Sequence, residues 1–140
     1  MEIIIWNKDY LTGHGTIDFQ HKILVGIIND LIESQWNKVG DELWIEVVLD
    51  ELKSYTQYHF STESHLMKKH GYSEIKHHAE QHLVFVEKLV TFREEYAKDP
   101  HDINSSLLEF LKDWLLNHIL KEDKKLVSFL NDQDSTPSET

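Results

Sequence analysis

Four stretches of the chain place apolar residues every three or four positions, the spacing that gathers them on one side of an α-helix. The first predicts a helix from about Asp18 or Phe19 to Trp36, with His21, Leu24, Val25, Ile28, Leu31 and Ile32 in its stripe. Gly40 marks a break after it. The second runs from about Asp41 to Lys69 and carries Ile45, Val48, Leu52, Tyr55, His59, Glu63 and Leu66 on one face, with Gly71 as its stop. The third starts near Ser73 and carries Ile75, His78, His82, Phe85, Leu89, Phe92 and Tyr96 up to Asp99-Pro100. Ser73 can cap that start, although Lys76 three residues on rules out a capping box. The fourth runs from about Asp102 or Ile103 to Leu130 along Leu108, Leu111, Leu115, Ile119 and Leu126. Four amphipathic helices with short connections predict an all-α, up-down-up-down four-helix bundle.

The two ends read differently. Residues 1–18 predict an irregular N-terminal arm, because Gly13, His14 and Gly15 break a helix while Ile3, Ile4, Ile5 and Trp6 need a surface to cover. The last ten residues, NDQDSTPSET, are small, polar and acidic and predict a flexible tail over 131–140. Residues 1–130 then form one domain with one core, which a chain of 140 residues and 40% apolar composition can sustain. Five Gly and two Pro are few breakers for a strand-and-turn fold, which supports long helices.

Charge and cysteine usage narrow the chemistry. A formal net charge of −11 repels nucleic acid and anionic membrane surfaces, which require a basic face. The absence of cysteine excludes disulfides, thiolate catalysis, iron–sulfur clusters and cysteine zinc sites. MEIIIWNKDY has no basic lead and no cleavage site, so it does not read as a signal peptide, and no apolar run approaches a transmembrane span. A cytoplasmic protein without membrane insertion is expected.

What changes the picture is a set of polar residues inside the apolar stripes. His21 takes the first core position of the first helix, His59 and Glu63 continue the stripe of the second, His78 and His82 that of the third, and His118 and Asp123 flank the centre line of the fourth. A buried carboxylate or imidazole costs several kcal/mol unless it is paired or binds a metal. Taken singly, each has an ordinary reading as a hydrogen-bonded core histidine or a solvated acid. That reading weakens when all four helices break pattern together, since the core faces of a bundle converge.

Spacing supports convergence. His59/Glu63 and His78/His82 are i,i+4 pairs, each projecting two groups from one face. His77 lies about 100° around the helix from His78 and should point away, so the run HHAEQH holds one inward pair and a neighbour. His118 and Asp123 are five apart, about 140° on an ideal helix. Either they straddle Leu115 and Ile119 from the two edges of that strip, or a π-bulge narrows the gap. Five imidazoles and two carboxylates exceed the needs of one metal ion but suit two if both carboxylates bridge. One ion then takes three histidines and is closed, and the other takes two and keeps an open position. Mixed nitrogen and oxygen ligation suits iron, with zinc and manganese also admissible.

These residues also carry a family resemblance. IDFQH at 17–21, HFSTESHLM at 59–67, HHAEQHLVF at 77–85 and WLLNHILKED at 114–123 resemble the hemerythrins, specifically the single-domain bacteriohemerythrins, in order and over nearly the whole chain. The resemblance implies two iron ions in a non-haem, oxo- or hydroxo-bridged di-iron centre that binds O₂ reversibly. It implies His78, His82 and His118 on the closed iron, His21 and His59 on the open one, and Glu63 and Asp123 as bridges. It makes Leu115 a wall of the O₂ pocket, whereas Trp114, Phe60 and Ile119 read as core packing. His14, His65, His70, His77 and His101 fall off the stripes or in connections and are expected to be exposed, and changes at Glu80 or Gln81 are expected to be mild.

The function expected is an oxygen carrier, store or delivery protein rather than an enzyme, monomeric, with O₂ as ligand and O₂-consuming enzymes as candidate partners. The alternatives are a di-iron peroxidase or oxidase on the same scaffold, or an O₂- or redox-sensing module acting through a partner. Oxygen-activating di-iron bundles use carboxylate-rich sites, so a histidine-rich one favours holding O₂ over cleaving it.

Overall fold

The computed structural model describes residues 1–35, 42–100 and 103–135. Helices α1 (Gly15–Ser34), α2 (Glu42–His70), α3 (Ile75–Lys98), α4 (Ser105–Asn117) and α5 (Lys124–Ser135) account for most of these. A π-helical segment, His118–Asp123, joins α4 to α5 without a break, so the three together form the fourth long helix. α1 packs on α2, α2 on α3, α3 on α4, and α4 back on α1, which closes the predicted four-helix bundle. The described residues contain no strand. The expected end of the first helix at Trp36, the break at Gly40, the second helix's start at Asp41, and His101 and Asp102 lie outside the described residues, as do residues 136–140 of the expected tail.

Helix starts differ from the periodicity where capping decides them. α1 begins at Gly15, ahead of the expected Asp18. His14 is extended, and its Nδ1 accepts from the Ile17 N–H at 3.3 Å. Asp18 then works backwards, accepting from the Thr12 N–H (2.8 Å), the Thr12 hydroxyl (2.6 Å) and the Gly13 N–H (3.1 Å). Gly13, at φ 96°, supplies the left-handed turn this requires. The Gly-His-Gly run therefore starts the helix instead of breaking it, and the arm is shorter than expected. The arm contains one 3₁₀ turn, Lys8–Tyr10. It is clasped to α1 by Asn29, which accepts from the Ile4 N–H at 2.7 Å and donates to the Ile4 carbonyl at 2.8 Å. Of the apolar run only Ile4 is buried, while Ile3 and Ile5 point outward, as alternation in an extended chain requires.

α3 begins at Ile75, and Ser73 does not cap it; Glu74 holds that position with no side-chain bond. The cause is the preceding turn, where Gly71 at φ 66° lets the Tyr72 N–H reach the Met67 carbonyl at 3.0 Å. α4 begins at Ser105 because the Asn104 side chain accepts from the Leu107 N–H at 3.1 Å. The last helix continues to Ser135, beyond the expected Leu130.

The predicted stripes are the buried faces: His78, His82, Phe85, Leu89, Phe92 and Tyr96 of α3 are all buried, and α2 adds Leu49, Thr56 and Met67 to its stripe. Tyr55, Leu66 and Ile75 lie half-buried at the margins. The core forms two apolar layers. A large one gathers residues such as Ile28, Leu52, Phe85 and Leu111, and a small one holds Met67, Tyr72, Leu126 and Leu130. Along α2 the polar pair His59 and Glu63 falls between Leu52 and Met67, and along the fourth helix His118 and Asp123 fall between Leu111 and Leu126. The polar residues thus occupy one level of the bundle, dry on both sides.

Candidate metal centre

Each of the four long helices delivers its polar residues to this level. α1 contributes His21, α2 His59 and Glu63, α3 His78 and His82, and the π segment His118 and Asp123 as its first and last residues. Of the two arrangements open for the last pair, the helix adopts the π form. Its i→i+5 bonding widens the turn by one residue and brings positions five apart onto the same face. None of the seven side chains belongs to a residue more than 7% exposed.

The five histidines all present Nε2 to the two carboxylates. His21 Nε2 lies 2.8 Å from Asp123 Oδ2, and His118 and His78 Nε2 lie 3.0 and 3.2 Å from Asp123 Oδ1. His82, His59 and His78 Nε2 lie 3.0, 3.4 and 3.5 Å from Glu63 Oε1. The candidate ligand atoms fall into two groups, each with all its atoms within 4.8 Å of one another. One is Glu63, His78, His82, His118 and Asp123, the other His21, His59, Glu63 and Asp123. Both carboxylates belong to both groups.

The donor set fits metal ions better than it fits a hydrogen-bonded core. His59 Nε2, Glu63 Oε2 and Asp123 Oδ1 are buried at the centre without a partner in hydrogen-bonding geometry. His118 Nε2 is 3.1 Å from His82 Nε2 and 3.2 Å from His78 Nε2. Three ring nitrogens this close share at most a proton or two between them, whereas a cation would satisfy all three lone pairs. Orphaned buried polar atoms cost about 1–3 kcal/mol each, which a bound ion would offset.

Electrostatics agree. Burial first, and then the neighbouring imidazoles, push His59 down to about 3 and His82 down to about 2, so both rings are neutral and free to ligate at neutral pH. Burial, with Asp123 beside it, raises the Glu63 carboxyl well above the usual range. Burial would raise Asp123 too, but His118, His21 and His78 outweigh it and hold that carboxyl well below its ordinary value.

Residues around the site include several that the sequence pattern missed. Phe60 stacks on His82 at 3.7 Å and Trp114 on His118 at 4.5 Å, so these rings brace ligand candidates as well as packing the core. Gln81 corrects an expectation: its Oε1 accepts from His118 Nδ1 at 3.0 Å, so it is more than a tolerant surface position. Gln20 is buried and accepts from His59 Nδ1 at 2.7 Å. The only signal for either was a polar residue one position from a candidate ligand. Leu115 is buried in the large apolar layer, one turn before His118. Of the off-stripe histidines, His65 and His77 are exposed, while His14 and His70 are half-buried.

Comparison with known proteins gives concordant results. The family model "Hemerythrin HHE cation binding domain" matches residues 12–130. A bacteriohemerythrin of Pseudomonas aeruginosa is 34% identical over 123 residues, covering 88% of this chain and 78% of that protein. A bacteriohemerythrin of Methylococcus capsulatus is 30% identical over 125 residues, covering 89% of this chain and 94% of that one. The crystal structure of a wild-type hemerythrin superposes with a TM-score of 0.81 at 28% identity, covering 92% of this chain and 98% of that one.

Proposed function

The chain belongs to the hemerythrin family, and from that premise we propose that its seven buried side chains hold two iron ions and that the protein binds O₂ reversibly. The observation that carries this reading is the division of the ligand atoms into two overlapping groups that share Glu63 and Asp123. His78, His82 and His118 would hold one ion and His21 and His59 the other, with both carboxylates bridging. The first ion would then have five protein donors and the second four, so the two-histidine side would be the one left more open to O₂. An iron pair held there would supply redox-active metal and the two electrons that reversible O₂ binding needs. The chain's own part is to fix both ions, to balance their charge with two buried carboxylates, and to keep water away with an apolar surround. Leu115 would form a wall of the O₂ pocket. Together these give an oxygen carrier, store or supplier to O₂-consuming enzymes, acting as a monomer in the cytoplasm and not as an enzyme.

Metal analysis after reconstitution tests the reading: two irons per chain are expected, and one zinc per chain would overturn it. Adding O₂ to the reduced protein should produce a visible charge-transfer band that disappears under vacuum. Rapid irreversible oxidation with turnover of hydrogen peroxide would point to a peroxidase instead.

A further inference from the structure

The polar atoms behind His59 form a chain with only one consistent direction. The Tyr58 backbone carbonyl can only accept, and it takes the Thr62 hydroxyl at 3.1 Å. With its proton committed there, Thr62 Oγ1 can only accept from its other neighbour, the Gln20 side-chain amide at 3.1 Å. Gln20 must therefore turn its NH₂ to Thr62 and its carbonyl oxygen to His59 Nδ1, 2.7 Å away. An oxygen there requires the proton on Nδ1. His59 is thereby held in the tautomer whose Nε2 is bare, and Nε2 is the atom that is buried at the centre of the site, 3.4 Å from Glu63 Oε1 but with no partner in hydrogen-bonding geometry.

We infer that Gln20 and Thr62 are positioning residues that set the tautomer and ring orientation of His59, and through it the metal affinity of the two-histidine half of the centre. The geometry is built for this. Gln20 is buried on α1, one residue before His21, and reaches across to α2, so one short segment of α1 supplies a candidate ligand and the brace for another. Thr62 stands three residues after His59 on the same helix and ties the brace back to the α2 backbone. An amide is a neutral acceptor, so it orients the ring without adding a charge to a site that already holds two buried carboxylates. Hydrogen bonds to the far nitrogen of a ligating histidine fix its tautomer and raise its basicity, and losing one costs roughly 10–100-fold in metal affinity. The affinity half of this inference rests on the proposed di-iron reading, whereas the tautomer half does not.

The test uses the full chain with three changes: Gln20→Leu, which removes the acceptor at similar volume; Thr62→Val, which removes the hydroxyl and frees the Gln20 amide to turn over; and Gln20→Glu, which keeps an oxygen facing His59. Imidazole ¹⁵N NMR of the metal-free protein should show His59 protonated on Nδ1 in the unmodified chain and in Gln20→Glu. It should show a mixture of tautomers in Gln20→Leu and Thr62→Val. Iron titration should show one of two ions bound roughly 10–100-fold more weakly in Gln20→Leu, a smaller loss in Thr62→Val, and recovery in Gln20→Glu. Thr62→Val carries the test on its own if Gln20→Leu does not fold. Unchanged tautomer and unchanged affinity for both ions in Gln20→Leu, or in Thr62→Val where that variant stands alone, would overturn the inference. An unmodified chain that binds no iron would instead overturn the di-iron reading and leave the tautomer result to decide the role of Gln20.

Discussion

His59 and His82 are imidazoles kept neutral by burial, and this ties the stability of the metal-free protein to pH. The unfolded chain takes up protons at these rings near their ordinary value of 6.5, while the folded protein refuses them until about 3 and about 2. The stability they allow is fully present above pH 6.5 and is lost as pH falls toward 3. Glu63 works in the opposite sense, since its raised value lets the folded state hold a proton that the unfolded chain releases above 4.5. Two rings against one carboxyl should leave the denaturation midpoint of the metal-free protein falling between pH 6.5 and 4.5. Glu63→Gln should steepen that fall by removing the opposing group; a midpoint that rose on acidification would contradict the burial of neutral rings. At this scale the seven inward polar residues were legible because five interrupt an apolar stripe and two, His118 and Asp123, flank one. Gln20 was not, because a glutamine beside a stripe is ordinarily solvated, and only the tertiary contact with His59 shows its use.

For the helices, local chemistry at the ends set what periodicity could not. The stripes fixed which residues face inward, and α3 obeyed them from His78 to Tyr96. The starts depended on particular side chains. His14 is a poor sequence signal for a cap, yet it caps α1 because Asp18 holds the preceding turn in place. Asn104 is the cap of α4 and also donates to Glu95 at 2.8 Å, joining the α4 start to the end of α3. Asn104→Ala should lower unfolding stability by about 1 kcal/mol, within the range for cap removal, while leaving metal content unchanged. Denaturant titration and metal analysis of the same sample would check both halves, and loss of metal would show that the cap reaches further than its own helix. The π segment was foreseen only as one of two solutions. Nothing in HILKED prescribes it, and the demand comes from the site, which needs both His118 and Asp123 facing inward.

At the level of the whole molecule, the polar layer lies between two apolar layers, so the bundle should fold metal-free but, if the layer holds ions, less stably. Ligand binding to the folded state alone adds about 2.7 kcal/mol at a free concentration 100 times Kd. Stripping the metal with a chelator should lower Tm, and restoring iron should recover it; an unchanged Tm would mean that the polar layer is satisfied without ions. The bundle was legible because its four stripes are long, free of Pro and broken by Gly only at Gly26, whereas the clasp of the arm on Asn29 was not, since a backbone bond to a distant side chain leaves no pattern in sequence. The site also closes a circle in the chain: His21 and Asp123, 102 residues apart, meet at 2.8 Å. An ion held by both would act as a removable cross-link enclosing most of the polypeptide. Global unfolding would then have to wait for the ion to leave, so the protein's lifetime against proteolysis would be set by a dissociation rate and not by the packing of its core.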